Sequence, residues 1–227
     1  MHCFKYKMKN STYYLSLGEN CLADDILKRY KLKSFSTPYS PARSNIEYAI
    51  QNEKNCYANL LEENILTYEI RYKKKIAVNK KYDEPLNIYE KGVSNGFEFT
   101  HHDVISNKEA RNSFIRKINR LLDIKESKIV FLYHYRYSKN NSLDKIIPKF
   151  KEFLDYYPNA NLCVMHQTIC ADSSERHIEL RQCKKITLFE FYTLNIWAGE
   201  NPEIFWARCD EDLIRMMIYC IKGIGES

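Results

Sequence analysis

Cys21 is the side chain in this sequence best placed to act as a nucleophile. It ends a Gly-Glu-Asn-Cys segment at 18–21, which follows an apolar strand pattern at 12–17 and precedes a helical pattern. A thiol at a helix N-terminus lies near the positive end of the helix dipole, which favours the thiolate. The sequence therefore makes Cys21 a candidate nucleophile that would attack as a thiolate, but Asp24 and Asp25 in the first helical turn oppose its ionisation, and the sequence leaves this conflict open.

Four of the six histidines follow predicted strands, where one of them could serve as the base for a cysteine nucleophile. They are His101, His102, His134 and His166. Ligands of open α/β sheets bind beyond the carboxyl ends of the strands, so this grouping predicts an active or binding site. A nucleophile and its base must lie within hydrogen-bond reach. The residues alone leave the choice among the four open.

Other polar residues near the same strand ends are candidates for holding a substrate. Backbone N–H groups of the 18–20 turn, together with the Asn20 amide, could stabilise an oxyanion. Arg43 and Arg136 could hold an anionic part of a substrate by bidentate hydrogen bonds. The candidate substrate-binding residues are Gly18, Asn20, Arg43, Arg136, His166 and Gln167.

A metal site is a weaker interpretation of the His-His-Asp segment at 101–103. With His134 or His166 it offers imidazole and carboxylate ligands for zinc or iron. However, the sequence contains no His-x-x-x-His or Cys-x-x-Cys spacing, and neighbouring residues of a strand point to opposite faces. We therefore expect no metal ligands and no cofactor.

The order of the predicted elements favours an α/β fold. Strands alternate with helices in the second half of the chain, which is typical of a three-layer sandwich with a mostly parallel central sheet. The segment 64–100 has the pattern of β-hairpins, and we interpret it as an insertion or lid. Predicted strands lie at 12–17, 65–70, 75–78, 86–89, 97–100, 128–133, 161–165 and 186–189, and predicted helices at 21–31, from 44 or 45 onwards, at 107–122, 142–156 and 209–222.

The composition narrows the class of protein. With 227 residues, of which 44% are hydrophobic, the chain is expected to form a single domain over 1–227. No secretory signal and no apolar run of about 20 residues occur, so we expect a cytoplasmic protein without a membrane span. Its eight scattered cysteines are then expected to be free thiols. A net charge of +6 is mild, and the basic run at 71–75 is interpreted as solvated rather than as a nucleic-acid site.

The chain resembles an uncharacterised bacterial and viral family of predicted papain-like cysteine peptidases. The similar segments are Leu-Gly-Glu-Asn-Cys at 17–21, the turn at 37–40, Phe-Thr-His-His-Asp at 99–103, the basic helix at 111–120 and the apolar strand at 131–136, within a match over about 13–170. The resemblance implies that Cys21 is the nucleophile, His102 its base and Asp103 the residue that orients the base. The family's Pro-Phe-Asp-Trp turn is Pro-Tyr-Ser-Pro here. A looser likeness to GDSL-type esterases lacks their late Asp-x-x-His motif.

Three hypotheses about function follow. The first is a cysteine-dependent hydrolase or acyltransferase with a Cys–His pair, in which Cys21, His102, Asp103 and His134 are the candidate catalytic residues. It would act on a small-molecule or peptide substrate, for which an anionic group is compatible. The second is a transferase for sugar- or phosphate-linked substrates in polysaccharide modification, with Cys21 structural. The third is a non-catalytic module that uses its 18 Tyr and 11 Phe for partner contacts. The sequence does not indicate an oligomeric state.

Overall fold

The computed structural model describes residues 12–71, 73–81, 97–138 and 143–226. These residues form eight strands and five α-helices. The strands are β1 (Tyr13–Gly18), β2 (Leu66–Arg71), β3 (Lys74–Asn79), β4 (Phe97–Phe99), β5 (Ile129–Tyr135), β6 (Ala160–Ile169), β7 (His177–Cys183) and β8 (Ile186–Thr193). The helices are α1 (Leu22–Arg29), α2 (Ile46–Lys54), α3 (Lys108–Asp123), α4 (Leu143–Leu154) and α5 (Glu211–Glu226).

The main sheet has the strand order β1-β5-β6-β8-β7 and is mostly parallel. Four of its strands run parallel, and β7 pairs antiparallel with β8 at one edge. The register sets Gly18 beside His134 and Tyr135 beside His166. The carboxyl ends of β1, β5 and β6 therefore meet at one edge of the sheet, which confirms the predicted α/β class.

Helices cover both faces of this sheet. Alternate residues of a strand point to opposite faces, so Phe131 joins a core that includes side chains of α2, α3 and α4, while Leu132 joins a core with α1 and α5. Every residue of β5 is buried, as the continuous apolar run predicts for a strand covered on both sides. The chain thus forms three layers.

The three-stranded antiparallel sheet β2-β3-β4 ends in the turn that holds His101 and His102, which directly follows β4. Phe99 of β4 packs edge-on against Phe114 of α3, with 4.9 Å between ring centroids. A two-way backbone bridge between Arg43 and Glu98 ties β4 to the segment before α2. The hairpin pattern predicted for 64–100 is confirmed for β2, β3 and β4, and the predicted strand at 86–89 lies outside the described residues.

Two elements differ from the sequence-based expectation. β7 was not predicted because most of its side chains are exposed, which leaves no hydrophobic alternation to detect. β8 extends past the predicted 186–189 to Thr193. None of the helices in the described ranges combines the length and apolarity that a bilayer crossing requires. The seven cysteines within those ranges are free thiols, as predicted.

Candidate active site

Gly18 makes the turn that delivers Cys21 to the edge of the sheet. Its φ is +140°, a conformation that residues with a Cβ rarely adopt. A Cβ at this position would also lie 3.2 Å from the His134 backbone nitrogen and from the Tyr133 ring. The chain then bends at 19–20, and Cys21 becomes the N-cap residue of α1. A side chain at this position would strain the backbone and crowd the close approach of β1 to β5.

Cys21 faces His101. The distance from Cys21 Sγ to His101 Nε2 is 3.6 Å, across 80 residues of sequence. Cys21 stands at the start of α1, whereas His101 lies in the exposed turn that follows β4. The packing of the small sheet against the main core therefore brings a thiol and an imidazole within hydrogen-bonding distance.

The surroundings of the Cys21 sulfur favour the protonated thiol over the thiolate. Burial raises the pKa of Cys21 to about 11, and Asp24 and Asp25 act in the same direction. The positive charges of Arg43 and Lys33 lower the pKa but do not compensate. The conflict that the sequence leaves open is therefore decided against a lowered pKa, because burial of the sulfur outweighs its position at the helix N-terminus.

His102 is the chain neighbour of His101, but its ring packs against the hydrophobic core. Its ring packs edge-on against Phe114, with 5.5 Å between ring centroids. Burial, followed by the charges of Lys117 and His101, lowers the pKa of His102. No hydrogen bond joins His102 to Cys21 within the described residues; the histidine that contacts the sulfur is its neighbour.

Asp103 organises the turn that carries His101. Its carboxylate accepts hydrogen bonds from the Tyr68 hydroxyl at 2.9 Å and from the Ser106 backbone N–H at 3.0 Å. Burial acts to raise the pKa of Asp103, but hydrogen bonds from Ser106, Tyr68 and Ile105 outweigh it and lower the pKa to about 2. None of these partners is a histidine, so Asp103 does not orient an imidazole directly.

A cavity of about 230 Å³ opens at this edge of the sheet, and its lining includes Asn20, which precedes Cys21, but neither Cys21 nor His101. Its wall includes Glu19, Asn20, Arg43, His134, Arg136 and Trp197. His134 is 2% exposed, and its Nδ1 lies 3.0 Å from Asn20 Oδ1. Burial, together with Arg136 and His166, lowers the pKa of His134 to about 3. The uncharged His134 ring is thus part of the cavity wall, and its hydrogen bond is to Asn20 rather than to Cys21.

Glu19 ties Arg136 to the cavity wall. Its Oε1 accepts a hydrogen bond from the Tyr133 hydroxyl at 2.9 Å, and its Oε2 accepts one from the Arg136 backbone N–H at 3.0 Å. The Arg136 Nε also lies 3.5 Å from Oε2. Burial raises the pKa of Glu19, against the lowering effect of Arg136. The carboxylate therefore balances the guanidinium that was expected to bind an anion.

Gln167 and His166 differ in their relation to the cavity. Gln167 lines it, and its amide is engaged by Thr193, Asn195 and the Trp197 backbone N–H. The buried His166 instead donates from Nδ1 to the Tyr135 carbonyl oxygen at 3.1 Å, and it is not part of the cavity wall.

Trp197 lines the cavity, although the sequence does not identify it as a candidate site residue. This residue follows β8 in a loop and donates its indole N–H to Asp210 at 2.8 Å. Nothing local to its sequence indicates a site, since the neighbouring residues carry no motif. In the described ranges, no group of three or more His, Cys, Asp or Glu side chains is arranged to hold a metal ion.

A family model described as "Putative papain-like cysteine peptidase" matches residues 12–166. The chain belongs to this family. No curated protein and no solved structure matches the chain. The matched range includes both members of the Cys21–His101 pair and most of the polar cavity wall. Trp197 lies beyond it, so one wall of the cavity is built by a part of the chain outside the papain-like peptidase match.

Proposed function

We propose that this protein is a cysteine-dependent hydrolase or acyltransferase with Cys21 as nucleophile and His101 as its base. The observation that carries the proposal is the 3.6 Å distance from Cys21 Sγ to His101 Nε2. Membership of a papain-like cysteine peptidase family supports the same class of chemistry. A nucleophile within reach of an imidazole is the minimal arrangement for covalent acyl transfer.

The raised pKa of Cys21 determines how the first step would proceed. At neutral pH the sulfur carries its proton, since its pKa is about 11. His101 Nε2 would accept that proton as the sulfur attacks the acyl carbon, and the resulting imidazolium would return it to the leaving group. In the second half, His101 would deprotonate a water or an acceptor alcohol or amine that attacks the thioester, and the Cys21 thiol would be restored.

The other polar residues take supporting roles in this proposal. Arg43 lowers the pKa of Cys21 and lines the adjoining cavity, so its charge would stabilise negative charge that develops on the acyl oxygen. Asp103 would hold the His101 turn in place. His134, which the sequence named as a catalytic candidate, would bind substrate instead, because its Nδ1 is engaged by Asn20.

The experiment is an acylation assay with an activated ester. The protein is incubated with p-nitrophenyl acetate, and the acetyl thioester on Cys21 is located by peptide mass spectrometry. We expect labelling in the unmodified protein and none in Cys21→Ala. His101→Gln should slow labelling about 100-fold or more, the usual contribution of a general base.

His102→Gln is the matched control, because it changes the adjacent imidazole and leaves the contact to sulfur intact. We expect it to acylate at nearly the rate of the unmodified protein. Equal acylation of Cys21 in His101→Gln, or a larger loss in His102→Gln than in His101→Gln, would contradict the proposed base.

One observation also supports the transferase hypothesis. The protonated state of Cys21, which follows from its pKa of about 11, also suits a structural thiol. A transferase for phosphate- or sugar-linked substrates would bind inorganic phosphate or a sugar nucleotide through Arg136 and Arg43. In that case, calorimetry would show binding that survives Cys21→Ala and is lost in Arg136→Ala.

A further inference from the structure

The wall of the cavity includes His134, whose ring holds a buried nitrogen without a hydrogen-bond partner in the described part of the chain. His134 Nε2 is enclosed, and no hydrogen-bond partner for it exists among the described residues. The ring lies in the wall of the cavity, with its centroid 5.9 Å from that of Trp197. Buried polar atoms are nearly always hydrogen-bonded in folded proteins, so an unpaired one in a cavity wall indicates a position that a ligand completes.

The neighbouring hydrogen bonds fix which nitrogen of His134 carries the proton. The Leu22 backbone N–H donates to Asn20 Oδ1 at 3.1 Å, which identifies that atom as the amide oxygen. His134 Nδ1 lies 3.0 Å from the same oxygen, and an oxygen can only accept. Nδ1 must therefore be protonated. A neutral imidazole has a single N–H, so Nε2 carries a lone pair and can only accept a hydrogen bond.

The charges of the cavity wall cancel. Glu19 and Glu200 supply two carboxylates, and Arg43 and Arg136 supply two guanidinium groups. His134 adds no charge, since burial holds its pKa near 3. An anionic group would gain little net attraction here, and an acceptor oxygen placed at His134 Nε2 would meet a lone pair instead of an N–H. This disfavours the anionic ligand that the arginines suggest.

We propose that the cavity binds an uncharged amide or hydroxyl group that donates a hydrogen bond to His134 Nε2. Such a group satisfies the buried acceptor and needs no counter-ion in a wall of zero formal charge. That this amide or hydroxyl belongs to the substrate of the Cys21–His101 pair rests on the proposed function; that the cavity binds such a group does not.

The test is an NMR titration of the full chain with four small probes, following the ring ¹⁵N shifts of His134. The probes are propionamide, N,N-dimethylpropionamide, propionate and 1-propanol. We expect Nδ1 to be protonated and Nε2 bare from pH 5 to 8, and propionamide to shift Nε2. The dimethyl amide lacks an N–H and should bind about tenfold more weakly, because it leaves the buried acceptor unpaired. Propionate also lacks a hydrogen-bond donor, so its binding should be weaker by a similar factor.

The probes separate the two sources of the donor. Binding of 1-propanol with a shift of Nε2 would support a hydroxyl ligand, and binding of propionamide alone would support an amide. A protonated Nε2 would overturn the proposal, as would equal binding of propionamide, its dimethyl analogue and propionate. Binding of neither propionamide nor 1-propanol would also overturn it.

His134→Phe provides a second test, since it keeps a ring in the wall and removes the acceptor. We expect it to bind propionamide and the dimethyl amide equally. If this variant does not fold, the comparison of probes in the unmodified protein still decides. The readout involves no reaction at Cys21. A failed acylation assay and a failed probe titration are therefore separate results, and neither implies the other.

Discussion

The protonation of Cys21 gives a quantitative prediction for alkylation. Burial, with the charge of Asp24 as the next cause, raises the pKa of the thiol from 9.0 to about 11. The difference is about two units. At pH 7.5, below both values, the thiolate fraction is therefore about 100-fold smaller than for a thiol with the ordinary pKa, since each unit changes it tenfold. Alkylation through the thiolate should be slowed, although by less than this factor, because a thiolate of higher pKa is the stronger nucleophile.

Two opposite substitutions test the cause of this shift. Asp24 accepts hydrogen bonds from Ser16 on Oδ1 at 2.9 Å and from Lys33 on Oδ2 at 2.7 Å, and Asp24→Asn removes the charge while keeping one of these two acceptor oxygens. We expect Asp24→Asn to lower the pKa of Cys21 and to speed its alkylation at pH 7.5. Arg43→Gln removes a positive charge that lowers the pKa, so it should raise the pKa and slow alkylation.

The assay is iodoacetamide labelling between pH 6 and 11, quantified for each cysteine by peptide mass spectrometry. The exposed Cys56 serves as the internal standard in the same sample. The rate for Cys21 should still be rising at pH 10. An inflection at or below pH 9 in the unmodified protein would refute the dominance of burial. A higher pKa in Asp24→Asn would refute the sign assigned to that carboxylate.

Four further predictions concern stability. Gly18→Ala should lower the free energy of unfolding by about 2 kcal/mol or more, because the φ of Gly18 is +140° and the added Cβ would meet β5. Gly223→Ala should instead stabilise α5 by about 0.5 to 1 kcal/mol, because a Cβ there meets nothing within 4 Å. Urea unfolding measures both changes. The folded-state pKa of His134 is lowered to about 3, so its contribution to stability is full above about pH 6.5 and is lost as the pH falls. Between pH 7 and 5 the free energy of unfolding should drop by about 2 kcal/mol more in the unmodified protein than in His134→Gln, and parallel curves would contradict this. Lys125 pairs at 2.6 Å with the buried Glu53, so Lys125→Met should cost about 3 kcal/mol in urea unfolding and a neutral result would contradict the role of the pair.

Local signals in the sequence were sufficient for most of the fold. The apolar run of β5, the helical stripe of α3 and the glycine at the end of β1 each depend on neighbouring residues, and all three appear as predicted. The Asn45 side chain caps α2 by accepting from the Tyr48 N–H at 2.8 Å, where the sequence placed a helix start. Periodicity, capping and turn geometry are properties of short segments, so they can be read without knowing the packing.

The site depended on tertiary structure. Cys21 could be identified as a candidate from its place between strand and helix, but its distance to His101 rather than His102 follows from how β4 packs against α3 and bridges to Arg43. The elevated pKa of the thiol depends on burial, which a local motif does not encode. The cavity needs Trp197, more than 170 residues along the chain from Cys21. Sequence spacing specifies which residues share an element, whereas the contacts between distant elements decide which side chains meet.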